Sequence, residues 1–330
     1  MAEAITTSGQ LSIRWIEHKL NEYLNSLNQT KDIDYVVASD TDSVYIRFDE
    51  LVEKFKPKNP VDFLDTIAKD KVEPFINQSY QELADYTHAY DQKMQMKREV
   101  IADKGIWTAK KRYILNAFDV EGVLKTKQVE NTIKPMINTL NAHDVEGVRY
   151  QEPKLKIMGI EAVKSSTPAP CREKIKQALR IIMDGNEKEL NTFIQNFRKE
   201  FLTLPPEDVA YPRSVNGLSK WTESHNLFKK GAPIHCKGAI LYNHLIKKNK
   251  LGYKYPLIQE GDKIKFLHMK LPNIYQSSSI SFITEISFAV DYDLQFEKSF
   301  VEPLNYIIEK IKWNVDRSYG TQGTLEDFFA

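Results

Sequence analysis

Apolar residues recur at helical spacing over 7–27, where Leu11, Trp15, Leu20, Leu24 and Leu27 form a stripe behind the capping candidates Thr6, Thr7 and Ser8. The pattern then changes. Residues 34–39 and 44–48 are short runs of β-branched and aromatic residues, and the second alternates, with Val44, Ile46 and Phe48 on one face and Tyr45 and Arg47 on the other. This predicts a β-hairpin. Helical spacing returns over 60–88, with Pro60 near its start and Phe63, Leu64, Ile67, Val72, Phe75 and Ile76 as apolar positions. Residues 94–102 and 106–118 read as strands through Ile101, Ile106, Trp107, Tyr113, Ile114 and Leu115. After Ser166-Thr167-Pro168-Ala169-Pro170, which has the composition of a boundary, two helices are predicted. Residues 171–184 carry Ile175, Leu179, Ile182 and Met183, and residues 186–203 carry Leu190, Ile194, Phe197 and Phe201. Residues 205–260 read as irregular, 261–290 as strand-like and 298–313 as helical. The expected class is α/β (α+β), with a mixed first half and a helix-rich second half.

Composition narrows the picture modestly. A chain of 330 residues with 42% hydrophobic and 28% charged residues is long enough for one large or two smaller cores. The net charge of +1 means that a basic surface must be local. With Cys171 and Cys236 alone there is no disulfide framework, which suggests a reducing compartment. No apolar run approaches the roughly 18 residues of a membrane helix, and Glu3 interrupts any signal-peptide pattern. An intracellular chain with no membrane partner is expected. One local repeat stands out: residues 115–123 and 140–148 differ only at Phe118 and His143. Together with their spacer they predict a surface insertion over about 118–142.

Four segments carry candidate chemistry. The hairpin tip reads Asp40-Thr41-Asp42-Ser43. Two adjacent carboxylates repel unless a cation sits beside them, and hard divalent ions take carboxylate oxygens and orient phosphates. The same composition also makes an ordinary solvated turn. Lys110-Lys111-Arg112-Tyr113 offers three cations and an aromatic to phosphates and sugars, or else a charged edge strand that resists aggregation. Residues 152–159 place Lys154 and Lys156 on one face of an extended run, and Lys164-Ser165-Ser166-Thr167 follow. A basic row and three hydroxyls suit a phosphate backbone, and equally a solvated strand with a helix cap. Near the end of the sequence, Gln322, Leu325, Phe328 and Phe329 make a small apolar plug suited to a partner's pocket.

In this order, these segments resemble the C-terminal half of a family B replicative DNA polymerase of the T-even phage type. Residues 39–43 resemble its palm motif, with Ala38 and Ser39 where the family has Tyr and Gly; Lys110 to Tyr113 match its Lys-Lys-Arg-Tyr motif; and residues 152–168 resemble the passage from palm to thumb. Residues 4–10 resemble the stretch after the fingers, and Ile234 to Gly238 with Tyr242-Asn243 resemble a thumb segment near duplex DNA.

The resemblance implies palm over 1–166, thumb over 167–320 and a clamp-binding tail over 321–330. It implies Asp42 as the main metal-binding carboxylate, Asp40 beside it, and Glu99 of Met96-Lys97-Arg98-Glu99 as the acid near the metals. The cofactor would be two Mg²⁺ ions, one shared with a palm acid that this sequence lacks. Lys110, Lys111, Arg112 and Tyr113 would hold the primer strand. Lys154, Lys156, Lys164, Ser165, Ser166, Thr167, His235, Lys237 and Gly238 would contact DNA. Gln322, Leu325, Phe328 and Phe329 would bind a sliding clamp.

The second palm acid motif, the fingers motif and the exonuclease acids are absent from the sequence. With Met1 at the fingers–palm junction, the expectation is a split subunit. It would act on primer–template DNA and dNTP, in the cytoplasm of an infected bacterial host, once an N-terminal polymerase polypeptide supplies the rest. The rivals are a non-catalytic DNA- and clamp-binding module from a broken polymerase gene, an incomplete gene model, and a metal nuclease built on Asp40, Asp42 and Glu99.

Overall fold

A computed structural model describes residues 2–120, 148–223, 227–270, 277–279 and 290–317. Residues 121–142 of the expected surface insertion, residues 140–147 of the second repeat copy and the whole 321–330 tail lie outside the described residues, while residues 118–120, expected at the surface, end a strand in which Asp119 and Val120 are buried. The fold is mixed helix and sheet, as expected, and it divides into two compact units, Met1–Lys156 and Ile157–Ala330.

The first unit opens with α1 (Ala2–Asn28), whose buried residues Ile16, Leu20 and Leu24 are spaced four apart. The helix begins earlier than its sequence suggests. Thr6 and Thr7 are not caps: their hydroxyls donate back to carbonyls of Ala2 and Glu3 inside the helix. Leu11 and Leu27, expected on the apolar stripe, are exposed.

The hairpin follows as β1 (Val36–Asp40) and β2 (Ser43–Ile46). Then come α2 (Asp49–Phe55), which the periodicity did not predict, and α3 (Pro60–Ile67), capped by the Asn59 side chain. A π-helical turn over Ala68–Val72 joins α3 to α4 (Glu73–Tyr86). Ile16, Leu20, Val36, Val72, Ile76, Tyr80 and Leu83 form one core, which seats the hairpin on α1 and α4.

The sheet that follows departs from expectation. Residues 94–99 are not strand. β3 (Val100–Ala109) turns at Lys110-Lys111 into β4 (Arg112–Val120), where one strand over 106–118 was predicted. The break is set by Lys111, whose φ of 60° reverses the chain. β5 (Val148–Met158) completes a sheet of order β3-β4-β5.

In the second unit, α5 (Ala169–Asp184) is followed by α6 (Glu187–Phe201), which packs through Phe197 and Phe201 onto Phe296 and Phe300, all fully buried. Phe197 lies 4.7 Å from Phe300 and 5.7 Å from Phe296, ring to ring. These partners come from α10 (Tyr292–Phe296) and the π turn before α11 (Glu302–Ile308). A three-stranded sheet pairs β6 (Tyr211–Ser214) with β9 (Lys263–His268) and β9 with β10 (Ser277–Ser279). The stretch 205–260, expected to be irregular, holds α7 (Pro206–Val209), α8 (Leu218–Trp221), the short β7 (Thr222–Glu223) and β8 (Leu227–Phe228), and the fifteen-residue α9 (Ile234–Lys248). Cys236, Ala239, Tyr242 and Ile246 of α9 pack on Val215, Ile258 and Ile264 in a core of their own.

Candidate metal centre and nucleic-acid interface

Two asparagines on α1 hold the acidic hairpin in place. Asn21 Oδ1 accepts the backbone N–H groups of Tyr35 (2.8 Å) and Val36 (3.1 Å). Asn25 Oδ1 accepts Ile33 N–H, and its Nδ2 donates to the Ile33 carbonyl. Buried amides at the start of β1 are thereby satisfied by a helix rather than by a third strand. The register pairs Asp40 with Ser43, leaving Thr41-Asp42 as the tip. None of the described positive-φ residues lies there, so Ser39 fits where the resembled motif has Gly. Its hydroxyl donates to Glu17 Oε2 on α1 at 3.1 Å.

Asp42 is exposed at the tip. Asp40 Oδ1 accepts Thr41 N–H (2.8 Å) and the Thr41 hydroxyl (3.2 Å). The Thr41 N–H, then its hydroxyl, and the Lys111 and Lys110 ammonium groups hold the Asp40 carboxyl below its usual range against an opposing desolvation.

That influence of Lys110 and Lys111 reveals the arrangement. The β3–β4 turn comes beside the acidic tip because Tyr45 of β2 packs edge-on against Trp107 (5.3 Å) and Tyr113 (5.4 Å). Burial first, then the hydrogen bond with Tyr45, then Glu99 and Asp40 push the Tyr113 phenol up, so it is a neutral hydrogen-bonding group at physiological pH. Glu99 is exposed and meets Lys156 of β5 at 3.5 Å. Arg112 is half-buried, and Lys110, Lys111 and Lys154 are exposed. In the first unit Asp40 therefore interacts with Lys110, Lys111 and Tyr113, and Tyr113 with Glu99, which pairs with Lys156.

The donor set for a metal is incomplete. Among the described residues no group of three or more His, Cys, Asp and Glu side chains is placed to hold an ion. Asp40 and Asp42, on either side of Thr41, offer two carboxylates, fewer than the about six oxygen ligands of an octahedral Mg²⁺ ion. Asp119, in the first repeat copy, is a buried partner of Arg98.

The remaining expected DNA contacts fall in the second unit. Lys164 pairs with Glu161 at 2.8 Å. Ser165 is exposed, the Ser166 carbonyl accepts from Arg213, and Thr167 is buried with its N–H on the Lys164 carbonyl. His235, Lys237 and Gly238 all lie in the first turns of α9. Gly238 is buried. The His235 ring packs 6.2 Å from Phe266, and burial, then Arg213, pulls its pKa down. Lys237 lies over the Phe228 ring at 5.4 Å. A signal the motif reading passed over surrounds them: residues 224–259 contain seven lysines and no Asp or Glu. Of these, Lys229, Lys230, Lys247, Lys248, Lys250 and Lys254 are exposed. The clamp candidates Gln322, Leu325, Phe328 and Phe329 lie outside the described residues.

The chain is 32% identical over 353 residues to the DNA-directed DNA polymerase of Enterobacteria phage T4. It is 34% identical over 352 residues to the DNA-directed DNA polymerase of Escherichia phage RB69. The chain resembles part of a T4-type DNA polymerase. The two matches take in 100% and 99% of this chain but 36% and 35% of those polymerases, so it spans about a third of the length of the curated relatives it matches. No protein-family profile matches it. No helix among the described residues is long and apolar enough to cross a membrane.

Proposed function

We propose that this chain is the palm-and-thumb part of a DNA-directed DNA polymerase. It would catalyse template-directed nucleotidyl transfer together with a polypeptide that supplies the exonuclease, the fingers and the other palm acid. The observation that carries this reading is the Asp40-Thr41-Asp42 tip beside the Lys110-Lys111 turn and Tyr113, in a chain similar throughout to phage polymerases.

On this reading Asp42 and Asp40 supply half of a two-Mg²⁺ site. Bound Mg²⁺ would orient the nucleotide triphosphate and neutralise charge at the transferred phosphoryl group. The chain's own contribution is position and charge. Lys110, Lys111 and Arg112 neutralise primer phosphates next to the acids, and the neutral Tyr113 hydroxyl hydrogen-bonds that strand. Glu99 adds negative charge near Tyr113. Residues 1–166 serve as palm and 167–320 as thumb. The acid-free, lysine-rich stretch around α9 gives the thumb a phosphate-binding face, to which His235, Lys237 and the hydroxyls of Ser165 and Ser166 belong. The tail over 321–330 docks on a sliding clamp.

The test is Mg²⁺-dependent primer extension by this chain alone and mixed with a polypeptide carrying the absent motifs. Extension in the mixture, lost on Asp42→Ala with assembly intact, supports the reading. Undiminished extension by Asp42→Ala refutes the metal role. Duplex binding with no extension in either sample would leave a non-catalytic DNA-binding module.

A further inference from the structure

Arg98 is a buried cation whose work lies next to the candidate site. Its side chain is 8% exposed. Nη2 meets Asp65 Oδ1 of α3 at 2.7 Å, and Nη1 meets Asp119 Oδ1 of β4 at 3.2 Å. The two acids are themselves 12% and 2% exposed. The Arg98 backbone N–H donates to Glu73 Oε1, in the first turn of α4, at 2.8 Å. Three elements therefore hold one residue, which lies in an irregular segment just before β3.

Taking a guanidinium and two carboxylates out of water is expensive, and a well-packed apolar cluster of the same size generally stabilises a fold as well or better. What a planar, doubly anchored guanidinium adds is direction. The next residue is Glu99, with a side chain 69% exposed and paired to Lys156. Arg98 and Glu99 share a peptide bond, and Arg98 is fixed both at its backbone N–H and at its guanidinium. Anchoring Arg98 therefore limits where Glu99 emerges, within electrostatic reach of Tyr113 and paired to Lys156.

We propose that Arg98, clamped by Asp65 and Asp119, is a positioning residue that holds the Glu99 carboxylate in place beside Tyr113. The proposal rests on the polymerase reading above, through the role assigned to Glu99. The predicted signature is coupling. Arg98→Lys keeps the charge but loses the fork, and slows extension by the reconstituted enzyme about tenfold or more, since small misplacements near reacting groups are costly. The loss falls on kcat rather than on KM for primer–template. In a Glu99→Gln background the same change has almost no further effect. Asp119→Asn, which leaves Arg98 in place, follows the same pattern, and melting curves confirm that each variant folds.

A second measurement needs no activity. Nitroxides at Glu99→Cys and His18→Cys report a distance distribution in the chain alone; the two native cysteines are buried. Arg98→Lys broadens it. The outcomes separate cleanly. If Glu99→Gln slows extension and Arg98→Lys multiplies that loss independently, positioning is refuted and the polymerase reading stands. If Glu99→Gln has no effect, or no mixture extends a primer, the assigned role of Glu99 falls, and the nitroxide distribution alone decides whether Arg98 sets its position. An unchanged width refutes the proposal.

Discussion

Removing the Asn21 side chain tests how the acidic hairpin is held. Asn21→Ala deletes the acceptor for the Tyr35 and Val36 N–H groups. Those residues are 1% and 4% exposed, so water reaches their amides poorly. A buried donor left without a partner costs about 1–3 kcal/mol. Two such donors, with partial rescue by water entering the gap, give about 2–4 kcal/mol. The Asn21 Nδ2 bond to Asp34 at 2.9 Å is exposed and adds little. The loss is local, at the junction of α1 and β1. Amide hydrogen exchange at Tyr35 and Val36 is therefore a better probe than global unfolding of a two-unit chain. At about 1.4 kcal/mol per tenfold, protection of the two amides should fall roughly 30- to 700-fold, while amides of α5 and α6 keep theirs. Asn21→Asp retains an acceptor and should lose much less protection, despite its added charge beside Asp34. Protection reduced less than about threefold in Asn21→Ala would refute the reasoning, because the two amides would then have another partner.

Other outcomes follow from the same geometry. Phe197→Ala should destabilise the second unit by about 3–5 kcal/mol, since a fully buried ring with three aromatic neighbours leaves a cavity that they cannot fill; denaturant unfolding of the parent and variant checks this. Asp40 should titrate below the 3.8 of an ordinary Asp in a carboxyl-detected NMR titration, with Lys111→Gln moving it up. Because its folded-state pKa is lowered, its contribution to stability is present above the ordinary Asp value and is lost as pH falls through the lowered one. Cys171, pushed up to about 12 by burial, should remain an unreactive thiol toward alkylating reagents at pH 8 until the second unit opens.

Local pattern accounts for the elements that depend on local physics. α1, α3, α5 and α6 follow from apolar residues at helical spacing, and the first hairpin follows from alternating residues around an Asp-Thr-Asp turn. The β3–β4 hairpin was missed because its reversal sits on Lys111 in a left-handed conformation, without the Gly or Asn that usually marks one. α9 was missed because Gly238 and scattered lysines dilute its apolar stripe. Its neighbourhood did carry a readable mark, the absence of acids over 224–259.

Motif chemistry was likewise written in short segments: the paired acids at 40 and 42, the cations at 110–112 and the tyrosine at 113. Their assembly was not. Lys110 and Lys111 neighbour Asp40 because Tyr45 packs between Trp107 and Tyr113, more than sixty residues further along the chain. Asp65, Arg98 and Asp119 form one buried cluster from three separate elements. Sequence by itself determined the helices with a clear apolar stripe, the acidic turn and the residue types at the candidate site, because spacing and turn preference act over a few residues. Only the tertiary structure decided which charges face one another and which are buried, because those depend on closing long loops, and the free energy that offsets the closure comes from packing between distant segments.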